Sequence, residues 1–243
     1  MAVTDHDTTA ALPEVRPAAA GRGIDWVAGI EMTAVDDGRD VHLLGYFFDP
    51  ECTALSSFLA RQRAARVTRI RAIAETLAAL GMPVDVEPIV DAASRDAGRT
   101  IGRPHVARAL IDAGHVADLG EAFDRWLGAG RPAFVPRQGA SSERVIEILH
   151  EAGGLASLAH PGRNTAPVRI MALRDKGLDA IEVYHPDHDA ALVARYARLA
   201  ADLRCLVTGG SDFHGDGTHG RAPGAFSLPA EEWDRLLAHR GYT

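Results

Sequence analysis

The chain has 243 residues, 47% hydrophobic and 24% charged, which is the balance of an ordinary soluble globular protein long enough for one large core. A formal net charge of -7 argues against a broad nucleic-acid face, which needs a basic stripe, but leaves room for a small phosphorylated substrate held by a few local arginines. Two distant cysteines argue against disulfide staples, no stretch is long and apolar enough to span a bilayer, and the first residues have no signal-peptide pattern, so a cytoplasmic protein is expected.

In chain order, the segment around Val3 is short and β-like and ends in Thr4-Asp5-His6-Asp7. A weak helical stretch follows, interrupted by Pro13 and Pro17. Residues 24–33 read as a strand that carries Gly29-Ile30-Glu31, Asp36-Asp37-Gly38 is a turn signal, and residues 41–48 read as the partner strand of a hairpin. Leu55, Phe58, Leu59, Ile70, Ile73 and Leu77 fall at helical spacing and predict one long amphipathic helix, ended by Gly81 and Pro83. Its arginines, Arg61, Arg63, Arg66, Arg69 and Arg71, read as a solvated face. Shorter helical patterns follow at 86–93, 105–113 and 119–127 with no convincing strand between them, as in a helical insertion.

From Ser141 the rhythm changes. A helix at 141–152 leads to a strand at 155–159, a helix at 168–176 to a strand at 178–184, and a helix at 190–203 to a strand at 205–208. A last helix at 230–239 follows. Helix alternating with apolar strand implies a parallel sheet.

The chemistry gathers at strand ends. His6, His160, His185, Asp212 and His214 each sit just past a predicted strand, and Glu31 lies near the end of another. In parallel α/β barrels those ends form one rim, and the active site sits there. A single such residue reads as a capped or solvated side chain. Five strands delivering His, Asp or Glu to one rim does not, because buried imidazoles and carboxylates cost free energy unless paired or bound to metal. Mixed imidazole and carboxylate suits manganese, iron or zinc better than calcium or magnesium alone. There is no Walker-type phosphate loop and no G-x-S-x-G elbow.

These residues carry a resemblance. Thr4-Asp5-His6-Asp7-Thr8, Gly29-Ile30-Glu31, Val41-His42-Leu43-Leu44-Gly45-Tyr46, Gly102-Arg103-Pro104-His105, Ala159-His160-Pro161-Gly162-Arg163, Glu182-Val183-Tyr184-His185 and Ser211-Asp212-Phe213-His214-Gly215 occur in the order of the polymerase-and-histidinol-phosphatase (PHP) family. The sequence most resembles the branch that hydrolyses nucleoside 3',5'-bisphosphates and trims short RNA from its 5' end. The resemblance implies an α/β fold, a distorted (β/α)7 TIM-like barrel in two parts, 1–53 and 131–243, with a helical insertion at 54–130. It implies up to three divalent metals (manganese, iron or zinc). By motif position Glu31, His42 and His160 would hold one, with Glu31 bridging to a second. His6 and His214 would hold another, and Asp212 would help to hold the remaining one. Arg103, His105, Arg163 and His185 become candidates for substrate phosphate, and His185 or His214 for protonating the leaving group. A surface salt bridge is the alternative for Arg163, and a helix N-terminal role the alternative for Arg103 and His105. His115, His150, His219 and His239 match no family ligand and read as solvated, while His188 is open.

Family members begin with a strand carrying His-x-His, then an aspartate in a Ser-Asp-Gly turn. This sequence begins within what corresponds to the second strand, so the barrel is expected to be N-terminally truncated. An internal start and a true truncation both fit. The expectation for these 243 residues alone is about one bound metal and little turnover. The expected partners are a small phosphorylated nucleotide or short RNA, with no membrane and no extended nucleic-acid surface. The alternatives are a remnant that binds metal or phosphate without turnover, and a histidinol-phosphatase-like or DNA-end-processing enzyme.

Overall fold

The structure of the protein is a computed structural model, and it describes residues 1–96, 98, 100–215 and 222–239. The chain runs through α1 (Leu12–Ala20), β1 (Gly29–Asp36), β2 (Arg39–Tyr46), α2 (Thr53–Ala79), α3 (Glu87–Arg95) and α4 (Arg103–Asp112). The short α5 (Leu119–Ala122) continues into a π-helical turn at Phe123–Leu127. Then follow α6 (Ser142–Glu151), β3 (Leu155–Leu158), α7 (Pro167–Asp175), β4 (Ala180–Tyr184), α8 (Ala190–Leu203), β5 (Leu206–Gly209) and α9 (Ala230–His239). Among the described residues, no helix is long and apolar enough to cross a membrane.

The strands form one mixed sheet in the order β1-β2-β3-β4-β5. β1 and β2 make the expected hairpin, closed by Asp37 and Gly38, both at positive φ (51° and 71°) as a two-residue turn matched to strand twist requires. β2 pairs antiparallel with β3, while β3–β4 and β4–β5 pair parallel across the α7 and α8 crossovers. β1 begins at Gly29, later than the pattern from residue 24 suggests, because pairing with β2 starts at Gly29↔Tyr46. Glycine is required there, since a Cβ at Gly29 would lie 2.7 Å from the Val3 carbonyl oxygen. That close approach lays the first residues beside β1. His6 bridges Glu31 in parallel, Asp7 N–H donates to the Glu31 carbonyl, and Glu31 N–H donates to the Asp5 carbonyl. The β-like reading around Val3 thus ends as a single bridge rather than a full strand.

Strand alternation separates two faces. Ile30, Met32 and Ala34 of β1 and Leu43 of β2 are fully buried in a core that also holds Val145, Ile146 and Leu149 of α6. Glu31 and Thr33 point to the other face. A second apolar cluster lies in the middle of the chain, around Ile70, Ile73, Leu77, Val106, Leu110 and Leu127. Helix α2 has 27 residues, about 40 Å of helix, and it joins the two: Leu55, Phe58 and Leu59 belong to the sheet core and its C-terminal half to the second cluster.

Two arginines of α2 depart from the solvated reading. Arg66 donates to the fully buried Asp7 carboxylate through Nε and Nη2, and to the Ile101 carbonyl through Nη1. Arg69 donates to the Val135 carbonyl and lies over the Phe134 ring. Spaced three apart, they share a helix face that is covered by the segments carrying Asp7 and Phe134. Arg71 is exposed and pairs with Glu87, as a solvated face predicts. Replacing Arg66 by leucine leaves Asp7 buried without its main partner, and urea denaturation should show a loss of about 3 kcal/mol or more. Arg61→Ala, at an exposed position of the same helix, should cost about 0.5 kcal/mol or less.

Candidate metal centre

Glu31 and His42 sit on one face of the hairpin. Glu31 lies opposite Leu44, and His42 lies opposite Thr33, so their side chains are diagonal neighbours. His160 arrives just beyond β3, where Ala159 N–H donates to the His42 carbonyl. The result is a tight triangle. Glu31 Oε1 is 2.7 Å from His42 Nδ1 and 3.3 Å from His160 Nε2, and those two nitrogens are 3.3 Å apart. Ligand atoms at about 2.1 Å around a tetrahedral ion stand roughly 3.4 Å from one another, close to the two 3.3 Å edges, while the 2.7 Å edge is a hydrogen-bond distance that would open on binding. The second oxygen, Glu31 Oε2, faces His6 Nδ1 at 3.5 Å. Donor atoms of His6, Glu31 and His42 also lie within 4.8 Å of one another. The donor set therefore fits a divalent ion beside the Glu31 carboxylate.

The remaining residues close a ring around Glu31. His6 meets His42 with ring centroids 5.5 Å apart, His42 meets His160 at 5.2 Å, and His160 meets His185 at 5.7 Å. His185 Nε2 is 3.4 Å from Asp212 Oδ2, His214 Nδ1 is 3.8 Å from Asp212 Oδ1, and the His214 ring returns to within 6.4 Å of His6. The structure thus brings His6, Glu31, His42, His160, His185, Asp212 and His214 together at one end of the sheet. Asp7, His160 and Asp212 have positive φ (51°, 28° and 48°), a conformation that costs non-glycine residues free energy and clusters at functional sites.

The electrostatics favour a bound cation. Burial pushes the Glu31 carboxyl up, but hydrogen bonds from His160 and His42 outweigh it and hold the group well below the usual carboxylate range. Asp212 behaves likewise, with burial overcome by the bond from His185. Burial holds His6 low, so its imidazole stays neutral with a lone pair to offer. Burial would lower His160 too, but the Glu31 carboxylate raises it above its ordinary value. His185 is fixed in one tautomer. Its Nδ1 accepts from Asp187 N–H at 3.1 Å, so the neutral ring carries its proton on Nε2, the atom that faces Asp212.

The other sequence-named residues have different surroundings. Arg163 is exposed and pairs with Asp189 at 2.5 Å. Arg103 lies over the Phe123 and Phe134 rings and donates to the Leu127 carbonyl. His105 Nδ1 accepts from Gly102 N–H at the start of α4. Among the histidines expected to be solvated, His150 bonds Asp179 at 2.7 Å, which raises its pKa, and His115 contacts the Pro83 carbonyl. His219 lies outside the described residues. His188 is buried behind His185, with Nδ1 donating to the Val183 carbonyl.

The sequence places Glu182 within a family motif but assigns it no role. It is buried beneath the ring, accepts from His160 N–H at 2.6 Å, and burial raises its pKa. It thereby pins the left-handed backbone of His160. A bulge in the β4–β5 register lies between Glu182 and Tyr184, where it re-aims the end of β4 toward the ring. The available signal was a glutamate in the middle of an otherwise apolar strand.

No family model matches the chain. The 3',5'-nucleoside bisphosphate phosphatase of Chromobacterium violaceum is 36% identical over 231 residues, covering 92% of this chain and 80% of that protein. The 5'-3' exoribonuclease Rnm of Salmonella typhimurium is 33% identical over 221 residues, covering 88% and 74%. A crystal structure from Bifidobacterium adolescentis, described as a metal-dependent phosphoesterase, superimposes with a TM-score of 0.82 at 33% identity, covering 98% of this chain and 84% of that one.

Two outcomes follow from the geometry. Glu31→Ala should abolish metal loading, because both of its oxygens face donors, whereas His6→Ala should leave the His42–His160 side able to load; elemental analysis of the purified variants separates these. Metal must also displace the proton that the raised pKa of His160 retains. Calorimetric titration with manganese should therefore show proton release, with affinity falling as pH is lowered, by up to about tenfold per unit for each proton displaced. Affinity that stays flat from about pH 8 to about pH 6 would contradict that assignment.

Proposed function

The chain belongs to the PHP-type phosphoesterases, and from that premise we propose that it hydrolyses phosphate esters of nucleotides, a nucleoside 3',5'-bisphosphate or the 5' end of short RNA, with water as the nucleophile. The observation that carries this reading is Glu31, one of whose oxygens faces the imidazoles of His42 and His160 while the other faces that of His6. Glu31, His42 and His160 would hold one ion, and His6, with His214 near it and Asp212 beyond, would serve the neighbouring position. Manganese, iron or zinc suits this imidazole and carboxylate mixture. Such ions, when bound, lower the pKa of water and offset the charge of the phosphoryl group.

The protein's own groups do the rest. His185 presents Nε2–H into the ring and is the candidate donor of a proton to the leaving oxygen, with His214 as its rival on the exposed side. Asp187 N–H holds the His185 tautomer, and the buried His188 packs against its ring. Arg163 lies in the loop that follows His160, and its guanidinium fork matches phosphate oxygens, for which a substrate would compete with Asp189. Arg103 and His105 are offered as phosphate contacts from the insertion at 54–130, and the separate second core supports treating that segment as a subdomain. The approach of His6 to His214 brings the two margins of the sheet together, which suits a distorted barrel. The two free cysteines suit a reducing, cytoplasmic setting.

The test is phosphate release from adenosine 3',5'-bisphosphate by the manganese-loaded protein. His185→Asn should lower kcat by about 100-fold or more while metal content stays unchanged. Turnover that survives complete chelation of metal would overturn the reading.

A further inference from the structure

Beside the ring lies a cavity of about 570 Å³, within the range of small-molecule sites. Two of its wall residues, His42 and His160, are themselves donors of the candidate metal centre. The rest of the wall comes from the β1–β2 hairpin, the end of β3 and helix α7, with Val35, Val41, Leu158 and Leu173 as aliphatic surface. The loop after His160 that borders the cavity is braced. Tyr196 Oη donates to the Gly162 carbonyl, and Arg195 donates to the carbonyls of Arg163 and Thr165. The wall is therefore built in advance.

The charged groups around the cavity divide into engaged and free. Asp36 accepts from Ser142 N–H and Oγ–H and from Lys176, and Asp40 faces Arg137 at 3.5 Å. Asp37, at the hairpin turn, and Arg169, on α7, line the same space with exposed side chains. Among the described residues, no hydrogen bond or ion pair engages either side chain. One free carboxylate, one free guanidinium and aliphatic walls next to a phosphate-cleaving centre match one kind of molecule.

We infer that this cavity receives the nucleoside part of the substrate. The reaction centre takes one phosphate, the aliphatic wall takes the base, Asp37 accepts from a ribose hydroxyl or an exocyclic amine, and Arg169 meets a second phosphate. This rests on the phosphoesterase reading and adds to it the place where a nucleotide is told from any other phosphate ester.

Binding of inorganic phosphate, adenosine 5'-monophosphate and adenosine 3',5'-bisphosphate to the metal-loaded protein tests it by calorimetry. Ala172→Trp places a bulky ring at an exposed position of the cavity wall. It should weaken both nucleotides at least about tenfold relative to phosphate. Arg169→Glu, also at an exposed position, should weaken the bisphosphate more than the monophosphate, and it carries the test if the tryptophan variant does not fold. Nucleotide binding that matches the parent protein in both variants would overturn the inference. A parent protein that binds none of the three probes would instead overturn the phosphoesterase reading beneath it.

Discussion

A carboxylate buried as deeply as Glu31 costs several kcal/mol unless its charge is met. Here it is met by imidazoles from three places in the chain: His6 beside β1, His42 on β2 and His160 beyond β3. The hairpin register decides this arrangement. A slip of one residue would turn Glu31 and His42 into the apolar face now filled by Ile30, Met32 and Leu43. Each imidazole in turn depends on its own backbone, and that of His160 is held in a left-handed conformation by Glu182.

The support extends outward in layers. Glu182 lies below the ring, and the half-buried Tyr46 keeps its hydroxyl proton because desolvation and the nearby Glu182 and Glu31 raise its pKa. Asp7, next to His6 in sequence, is anchored by Arg66 of α2, which also bonds Ile101 of the middle segment. Helix α2 and the middle segment are thereby tied to the residues that deliver His6. A change in how α2 packs would be felt next to His6 through one side chain, Arg66.

Much of this was legible in the sequence, for a physical reason. β3, β4 and β5 each lead into a histidine or aspartate of the ring, as their sequences suggest, whereas Glu31, expected near the end of its strand, lies near the start of β1, because pairing with β2 begins only at Gly29. The hairpin was legible because Asp37 and Gly38 supply the positive φ that its turn demands. Other features were not. Arg66 and Arg69 look like any charged helix face until the chain that covers them is known. Glu182 stood out only as a glutamate in an otherwise apolar strand, and its burial beneath His160 is what gives it a role. Hydrogen bonding joins five strands into one sheet, and motif order alone does not say how the margins of that sheet meet.

The cavity beside His42 and His160 gives the centre a direction. Phosphate chemistry needs only the ring, but discrimination among esters needs a wall that contacts the rest of the molecule, and that wall is braced by Arg195 and Tyr196. All of this stands on the position of the metal. Crystals of the protein soaked in manganese and measured for anomalous scattering test it most directly. The account predicts a peak bounded by Glu31 Oε1, His42 Nδ1 and His160 Nε2. Manganese bound elsewhere, with that triangle empty at full occupancy of the other site, would contradict it.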